Sequence, residues 1–220
     1  MISLIESAAG NGPGSTYHVE VVLLESEPRI WRRLQVPGEA NLGWMHAVIQ
    51  VAMGWTNSHL HQFHLNGRFY SDPRHHYAEF EGDSEILDER KFTLQQLAPR
   101  PKDTLVYEYD FGDSWHHAVT VEKILPAISE TGQVAVCLDG ARACPPEDCG
   151  GVWGYAELLK TLANRKHPEH KAMKEWLGRP FKAAAFDAAK TNAWLCKLKW
   201  PRVTEAQLRK VLMGRDNYHE

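Results

Sequence analysis

The sequence predicts an α+β fold: a mixed β-sheet roll covered by a helix and followed by a helical C-terminal part. Three observations carry that expectation. Through much of the first half, apolar and polar residues alternate with period two, in stretches broken by turn-forming Gly, Pro, Asn and Asp. One segment there, from Leu42, switches to the three-and-four spacing of a helix, and that spacing dominates beyond Gly151. Finally, 220 residues with 43% hydrophobic content suffice for one substantial core or two small ones.

The elements follow in order. Residues 1–16 are rich in Gly, Ser and Asn, have no period, and are expected to form a flexible leader. Tyr17, Val19, Val21 and Leu23 then alternate, and after the turn-like "SEP" so do Ile30, Leu34 and Val36, which predicts a hairpin. Asn41 is placed to cap a helix with apolar positions Leu42, Met45, Val48, Ile49, Ala52 and Met53, closed by Gly54. This helix should cover one sheet face. "HLHQFHLNGRFY" predicts two strands about Asn66-Gly67, and the acidic stretch "SDPRHHYAEFEGDSEILDER" after it a surface excursion.

A second hairpin is expected in "DTLVYEYDFGDSWHHAVTVEKI". Leu105, Tyr107, Tyr109 and Phe111 form one apolar face, and Trp115, His117, Val119 and Val121 the matching one. A three-residue loop Gly112-Asp113-Ser114 puts both sets on the same side, pairing Phe111 with Trp115, Tyr109 with His117 and Tyr107 with Val119. His117 then faces inward and needs a polar partner, whereas His116 faces the other way. Beyond the cysteine-rich loop, one helix is expected on Tyr155, Leu158, Leu159, Leu162 and Ala163. A second should open with Pro168 as its first residue, bury Met173, Trp176 and Leu177, and close at Gly178. Asp187 caps a third helix ending near Leu195, and the capping box Thr204/Gln207 opens a fourth on Leu208, Val211 and Leu212.

Charge divides the chain. The net value is −3, but residues 1–150 carry −10 and residues 151–220 carry +7. The basic end makes Lys197, Lys199, Arg202, Arg209 and Lys210 candidates for contact with a nucleic acid or a protein partner. The alternative is that the two halves neutralise each other by packing. No apolar run approaches the roughly 20 residues that cross a bilayer, and the N-terminus lacks the pattern of a signal peptide, so the expected location is the cytoplasm, without a membrane partner.

Cytoplasmic thiols stay reduced, so the cluster Cys137, Cys144 and Cys149 points to metal ligands or packing thiols rather than disulfides. With His117 as fourth donor, or Cys196 as its rival, these residues compose a candidate structural zinc site. His59 and His61, expected on one strand face with Phe63 and Leu65, offer an H-x-H metal pair or two hydrogen-bonded histidines beside the core. Asp110, Asp113 and His116 or His117, with Glu147 or Asp148 as general base, would suit a metal-dependent hydrolase. The structural alternative is that Asp113 holds a turn, Asp110 bonds the loop backbone, and Glu147-Asp148 precede a helix.

The strings "SHLHQF", "YEYDFGDSWHH", "CLDGARACPPEDCGGVWGY" and "HPEHKAMKEWLG...AAFD" together resemble the plasmid pRiA4b ORF-3-like family, whose members are also labelled mobile-element passenger or TnpR-type proteins. The resemblance runs from about Tyr17 to Leu195, which sets a 17–195 domain and leaves 196–220 as a basic helical extension. It implies an α+β roll and an association with plasmids or mobile elements, but no biochemical activity. It marks His61, Asp110, Gly112, Asp113, Trp115, His117, Cys137, Cys144, Cys149 and Gly150 as motif positions. No residue is assignable as a recombinase serine or tyrosine nucleophile. Two functional classes follow from the residues. The preferred one is a non-enzymatic binding module, in which an acidic β-rich body closed by a Cys/His cluster presents basic helices; the other is the hydrolase.

Overall fold

The computed structural model describes residues 14–75, 86–127 and 135–216. Its strands are β1 (Thr16–Leu23), β2 (Ile30–Pro37), β3 (His61–Leu65), β4 (Arg68–Ser71), β5 (Ile86–Asp88), β6 (Thr104–Tyr109), β7 (Trp115–Leu125) and β8 (Val136–Ala141). The helices are α1 (Leu42–Met53), the single-turn α2 (Leu94–Leu97), α3 (Gly151–Ala163), α4 (His170–Leu177), α5 (Ala188–Leu195) and α6 (Glu205–Asp216). All eight strands join one sheet in the order β5-β4-β3-β6-β7-β1-β2-β8, with β4 and β5 parallel and the other neighbours antiparallel. The fold is α+β, as expected.

Period-two alternation places Tyr17, Val19, Val21 and Leu23 on one buried face of β1, paired with β2 and β7. Over that face lies α1, capped by Asn41, whose Oδ1 accepts from the Trp44 N–H, and ended by Gly54 in the left-handed conformation at φ 115°. Every residue of α1 except Gly43 is buried. A helix buried all round needs cover on its second side. The C-terminal segment supplies it: Trp44 meets Trp200 edge-on at 5.0 Å between centroids and donates its indole N–H to the Lys199 carbonyl. Leu198, Leu208, Val211 and Leu212 are buried in the same core cluster as the sheet.

The β6–β7 hairpin differs from the expected register. Tyr109 pairs with Trp115, Tyr107 with His117 and Leu105 with Val119, so the loop spans five residues, 110–114. An even shift leaves the apolar faces intact, which is why the alternation could not detect it. The loop is held by left-handed backbone at Asp110 and Ser114 (φ 59° and 52°) and by a 2.6 Å bond from the Ser114 N–H to the Asp110 carbonyl. Asp110 thereby leaves the strand.

Three further expectations are corrected. Helix α4 starts at His170 after Glu169, so Pro168 precedes it rather than opening it. Cys137 lies on β8 instead of an irregular loop. His59 lies in the loop before β3, so it does not share the strand with His61. The expected leader falls mostly on residues outside those described, and β1 begins at Thr16. Among the described residues, no helix is long and apolar enough to cross a membrane.

Candidate metal centre

Three loops meet at one end of the sheet. The α1–β3 connection brings His59, the β6–β7 loop brings Asp110, and the segment before α3 brings Glu147 and Asp148. His59 Nε2 lies 3.2 Å from Asp148 Oδ1, 3.6 Å from Asp110 Oδ2 and 3.7 Å from Glu147 Oε2. This nitrogen is buried and has no hydrogen-bond partner. His59, Asp110 and Asp148 are the one set of three or more His, Cys, Asp or Glu donors, among the described residues, whose ligand atoms all lie within 4.8 Å of one another. A single imidazolium N–H can point at only one of three carboxylates; a divalent cation compensates all of them.

Each member is oriented by its own neighbours. Asp110 is 7% exposed, and its Oδ1 accepts from the Gly112 N–H, which turns Oδ2 toward His59. Glu147 Oε1 accepts from the Thr56 N–H at 2.6 Å and from the Tyr109 hydroxyl at 3.0 Å, and Oε2 accepts from the Thr56 hydroxyl at 2.7 Å. The Tyr109 hydroxyl accepts in turn from the N–H groups of Ser58 and His59. Burial, followed by the Glu147 charge, pushes Tyr109 well above its ordinary pKa, so it stays a donor. Asp148 is the exposed member, with 71% of its side chain open to solvent.

Asp113 does not join this group. Its Oδ2 accepts from the Gly150 N–H at 3.2 Å and so ties the hairpin loop to the segment carrying Glu147 and Asp148. Gly151 (φ 66°) packs so closely that a Cβ there would sit 2.5 Å from the Asp113 carbonyl oxygen. Asp113 is therefore a clamp on the centre, not a member of it.

His59 and Asp110 face a cavity of about 1010 Å³. Deeper in it, His46 and His61 stack with centroids 3.4 Å apart and planes 7° from parallel. His46 belongs to a closed ring: Gln50 donates to the Tyr107 hydroxyl, which donates to His46 Nδ1; His46 Nε2–H donates to Asn57 Oδ1; and the Asn57 N–H returns to Gln50 Oε1. That ring fixes His46 as the neutral Nε2–H tautomer. His61 is bound instead to buried Glu89 at 2.8 Å. The H-x-H pair thus splits, with His59 at the centre and His61 bracing the cavity wall.

The expected zinc donors are not drawn together. Cys137 Sγ donates to the Asp139 carbonyl, and Cys196 is exposed at the end of α5. His117 is fully buried, with Nδ1 on the Tyr107 carbonyl and Nε2 unpartnered. Burial pushes the Cys137 thiol up to about 11 and the Cys149 thiol up to about 12. The buried Arg32 guanidinium lies within electrostatic reach of Cys137, Cys144 and His117. His116 is half-exposed on the opposite face, on the Ser114 carbonyl and 3.7 Å from Glu108. Of the basic candidates, Arg202 and Arg209 line the cavity, while Lys197 sits over the Trp194 ring at 3.5 Å and Lys199 and Lys210 are exposed. Sequence reasoning grouped Asp110 with Glu147 or Asp148, but paired them with Asp113 and His116 or His117 and set His59 apart with His61. It missed the bracing by Thr56 and Tyr109 and the cationic residues near β5, none of which carries a spacing signal.

A single mixed sheet packed under one buried helix, with a His/carboxylate cluster facing a large cavity, defines an α+β roll built around a candidate cation centre. The chain belongs to the family described as plasmid pRiA4b ORF-3-like protein, which it matches over residues 15–190. It is 35% identical over 178 residues to the uncharacterized protein y4hQ of Sinorhizobium fredii, covering 81% of this chain and 87% of that protein. It also resembles the crystal structure of a protein of unknown function, MM3350 from Methanosarcina mazei Go1, with a TM-score of 0.70, 34% identity, and coverage of 80% of this chain and 97% of that one.

Proposed function

We propose that the protein is a divalent-cation-dependent hydrolase. His59, Asp110 and Asp148 hold the ion, and Glu147 adds a third carboxylate as fourth ligand. The observation that carries this reading is His59 Nε2, buried and without a hydrogen bond among three carboxylates at 3.2–3.7 Å, on the wall of a large cavity. One imidazole nitrogen with carboxylate oxygens is a donor set suited to Zn2+ or Mn2+. A structural ion is closed off by protein ligands; this one would face a cavity, where it can activate water. Glu147 accepts three hydrogen bonds, which hold its carboxylate in place as a ligand. The attacking water would give up its proton to solvent at the open side of the centre, beside exposed Asp148, and the leaving group would take one up, so that H and OH are added across the cleaved bond.

The test is turnover of activated ester and phosphoester substrates by the full chain with Mn2+ or Zn2+, before and after chelation. Cation-dependent turnover lost in Asp110→Asn supports the hydrolase, and turnover equal in both proteins excludes Asp110 from the chemistry. Exposed Lys197, Lys199 and Lys210 favour a second reading, a nucleic-acid surface on the C-terminal helices. Duplex DNA binding should then fall steeply with salt and with removal of these lysines. Binding indifferent to both would exclude that surface.

A further inference from the structure

The geometry points to a phosphate-bearing substrate in the cavity that His59 and Asp110 line, reached by the cation centre and by Lys91 and Arg202 of the same lining, which bind the phosphoryl oxygens. This rests on the cation-dependent hydrolase reading and specifies its substrate class. The cavity that His59 and Asp110 face is also lined by Arg74, Arg90, Lys91, Arg202 and Arg209. Three of these are already neutralised: Arg74 by Asp72, Arg90 by Asp88 and Arg209 by Glu205. Lys91 and Arg202 have no carboxylate within 4.0 Å among the described residues.

The carboxylates of the cavity are spoken for in the same way. Asp72 and Glu205 belong to arginines, Glu89 belongs to His61, and Asp110 belongs to the cation centre. What remains in the lining is the pair Lys91 and Arg202 together with the cation site. A substrate that satisfies both must present several anionic oxygens around one atom, and the planar guanidinium matches two of the oxygens of a phosphoryl group. A divalent ion polarises the remaining oxygens and the bound water. Hydrolysis then forms a phosphorus–oxygen bond to water and breaks the ester phosphorus–oxygen bond, and the released alcohol carries the proton. The two cationic residues come from distant parts of the chain. Lys91 follows β5, and Arg202 lies in the basic C-terminal extension just before α6. The positive charge of that extension therefore has a use inside the fold.

The test is titration calorimetry of the full chain with inorganic phosphate in the presence of Mn2+, comparing wild type with Arg202→Ala and Lys91→Ala, with Mn2+ affinity measured separately in each. Both side chains are exposed, so the variants should fold. Each variant should bind phosphate about tenfold more weakly, the loss expected for one charge-assisted contact, with Mn2+ affinity unchanged. Phosphate affinity equal to wild type in both variants, or no phosphate binding by the Mn2+-loaded wild type, would overturn the inference while leaving the cation site intact. If the wild type binds no Mn2+, the hydrolase reading fails and this inference falls with it, an outcome told apart from the previous one by the separate Mn2+ titration.

Discussion

Glu147, Asp148, Asp110 and Asp113 are four carboxylates within two short motifs, and their neighbours give them different work. Glu147 is immobilised by Thr56 and Tyr109, Asp110 is turned by Gly112, Asp148 is left to solvent, and Asp113 holds Gly150. Asp113→Ala should therefore cost about 1 kcal/mol of stability, the worth of one charged hydrogen bond, without abolishing ion binding. Thermal melting and Mn2+ titration of that variant check both halves. His117 gives a pH prediction. Burial lowers its pKa to about 4 against an ordinary 6.5, so the unfolded chain binds the extra proton first. Stability should fall as pH drops from about 6.5 toward 4, by up to about 3 kcal/mol from this residue. Melting temperatures of His117→Gln between pH 4.5 and 7 should show a shallower acid slope, and a slope as steep as wild type would remove His117 as its source. The individual residues of the centre were visible in the sequence as acids and histidines. Asp110 was grouped there with Glu147 or Asp148, but His59 was not, because it lies 51 residues from Asp110 and 89 from Asp148 and only the sheet order brings their loops to one end.

At the scale of elements, Arg32 pins four segments that the sequence does not link. Its guanidinium donates to the carbonyls of Ala52 and Met53 at the end of α1, Trp31 on β2, Ala141 on β8 and Arg142 beyond it, and Phe186 stacks on it at 4.2 Å. The C-terminal end of a helix favours a cation, and five carbonyl contacts offset its burial. Arg32→Met should cost about 3 kcal/mol or more by leaving those acceptors unmet, as read by denaturant unfolding. Gly151→Ala should have a different signature. Its Cβ would collide with the Asp113 carbonyl, so the loop carrying Glu147 and Asp148 must shift, and Mn2+ affinity should fall along with stability. Unchanged affinity there would show that α3 does not set the position of the centre. Alternation and capping made β1 to β4, β6, β7, α1, α5 and α6 legible, because period and cap chemistry are local, whereas β5 falls in the stretch expected as a surface excursion and β8 in the one expected as an irregular loop. The five-residue hairpin loop was not, since a two-residue register slip preserves every face and the left-handed backbone at Asp110 and Ser114 leaves no apolar signal.

Across the whole molecule, the acidic body and the basic end are parts of one core. Leu198, Leu208, Val211 and Leu212 are buried with the sheet residues, and Trp200 meets Trp44 on α1. The charge split that the sequence presents as a partner surface is thus partly turned inward, with Arg202 and Arg209 lining the cavity that His59 and Asp110 face. The sequence could show that the two halves differ in sign, but not that they share a cavity. The measurement that tests this account most directly is titration of Mn2+ into the full-length, chelator-treated protein, compared with His59→Ala and Asp110→Asn. The account predicts one ion per wild-type chain and at least about a tenfold loss of affinity in each variant, the scale of losing one ligand or its support. Ion binding unaltered by both substitutions, or no binding by the wild type, would contradict it.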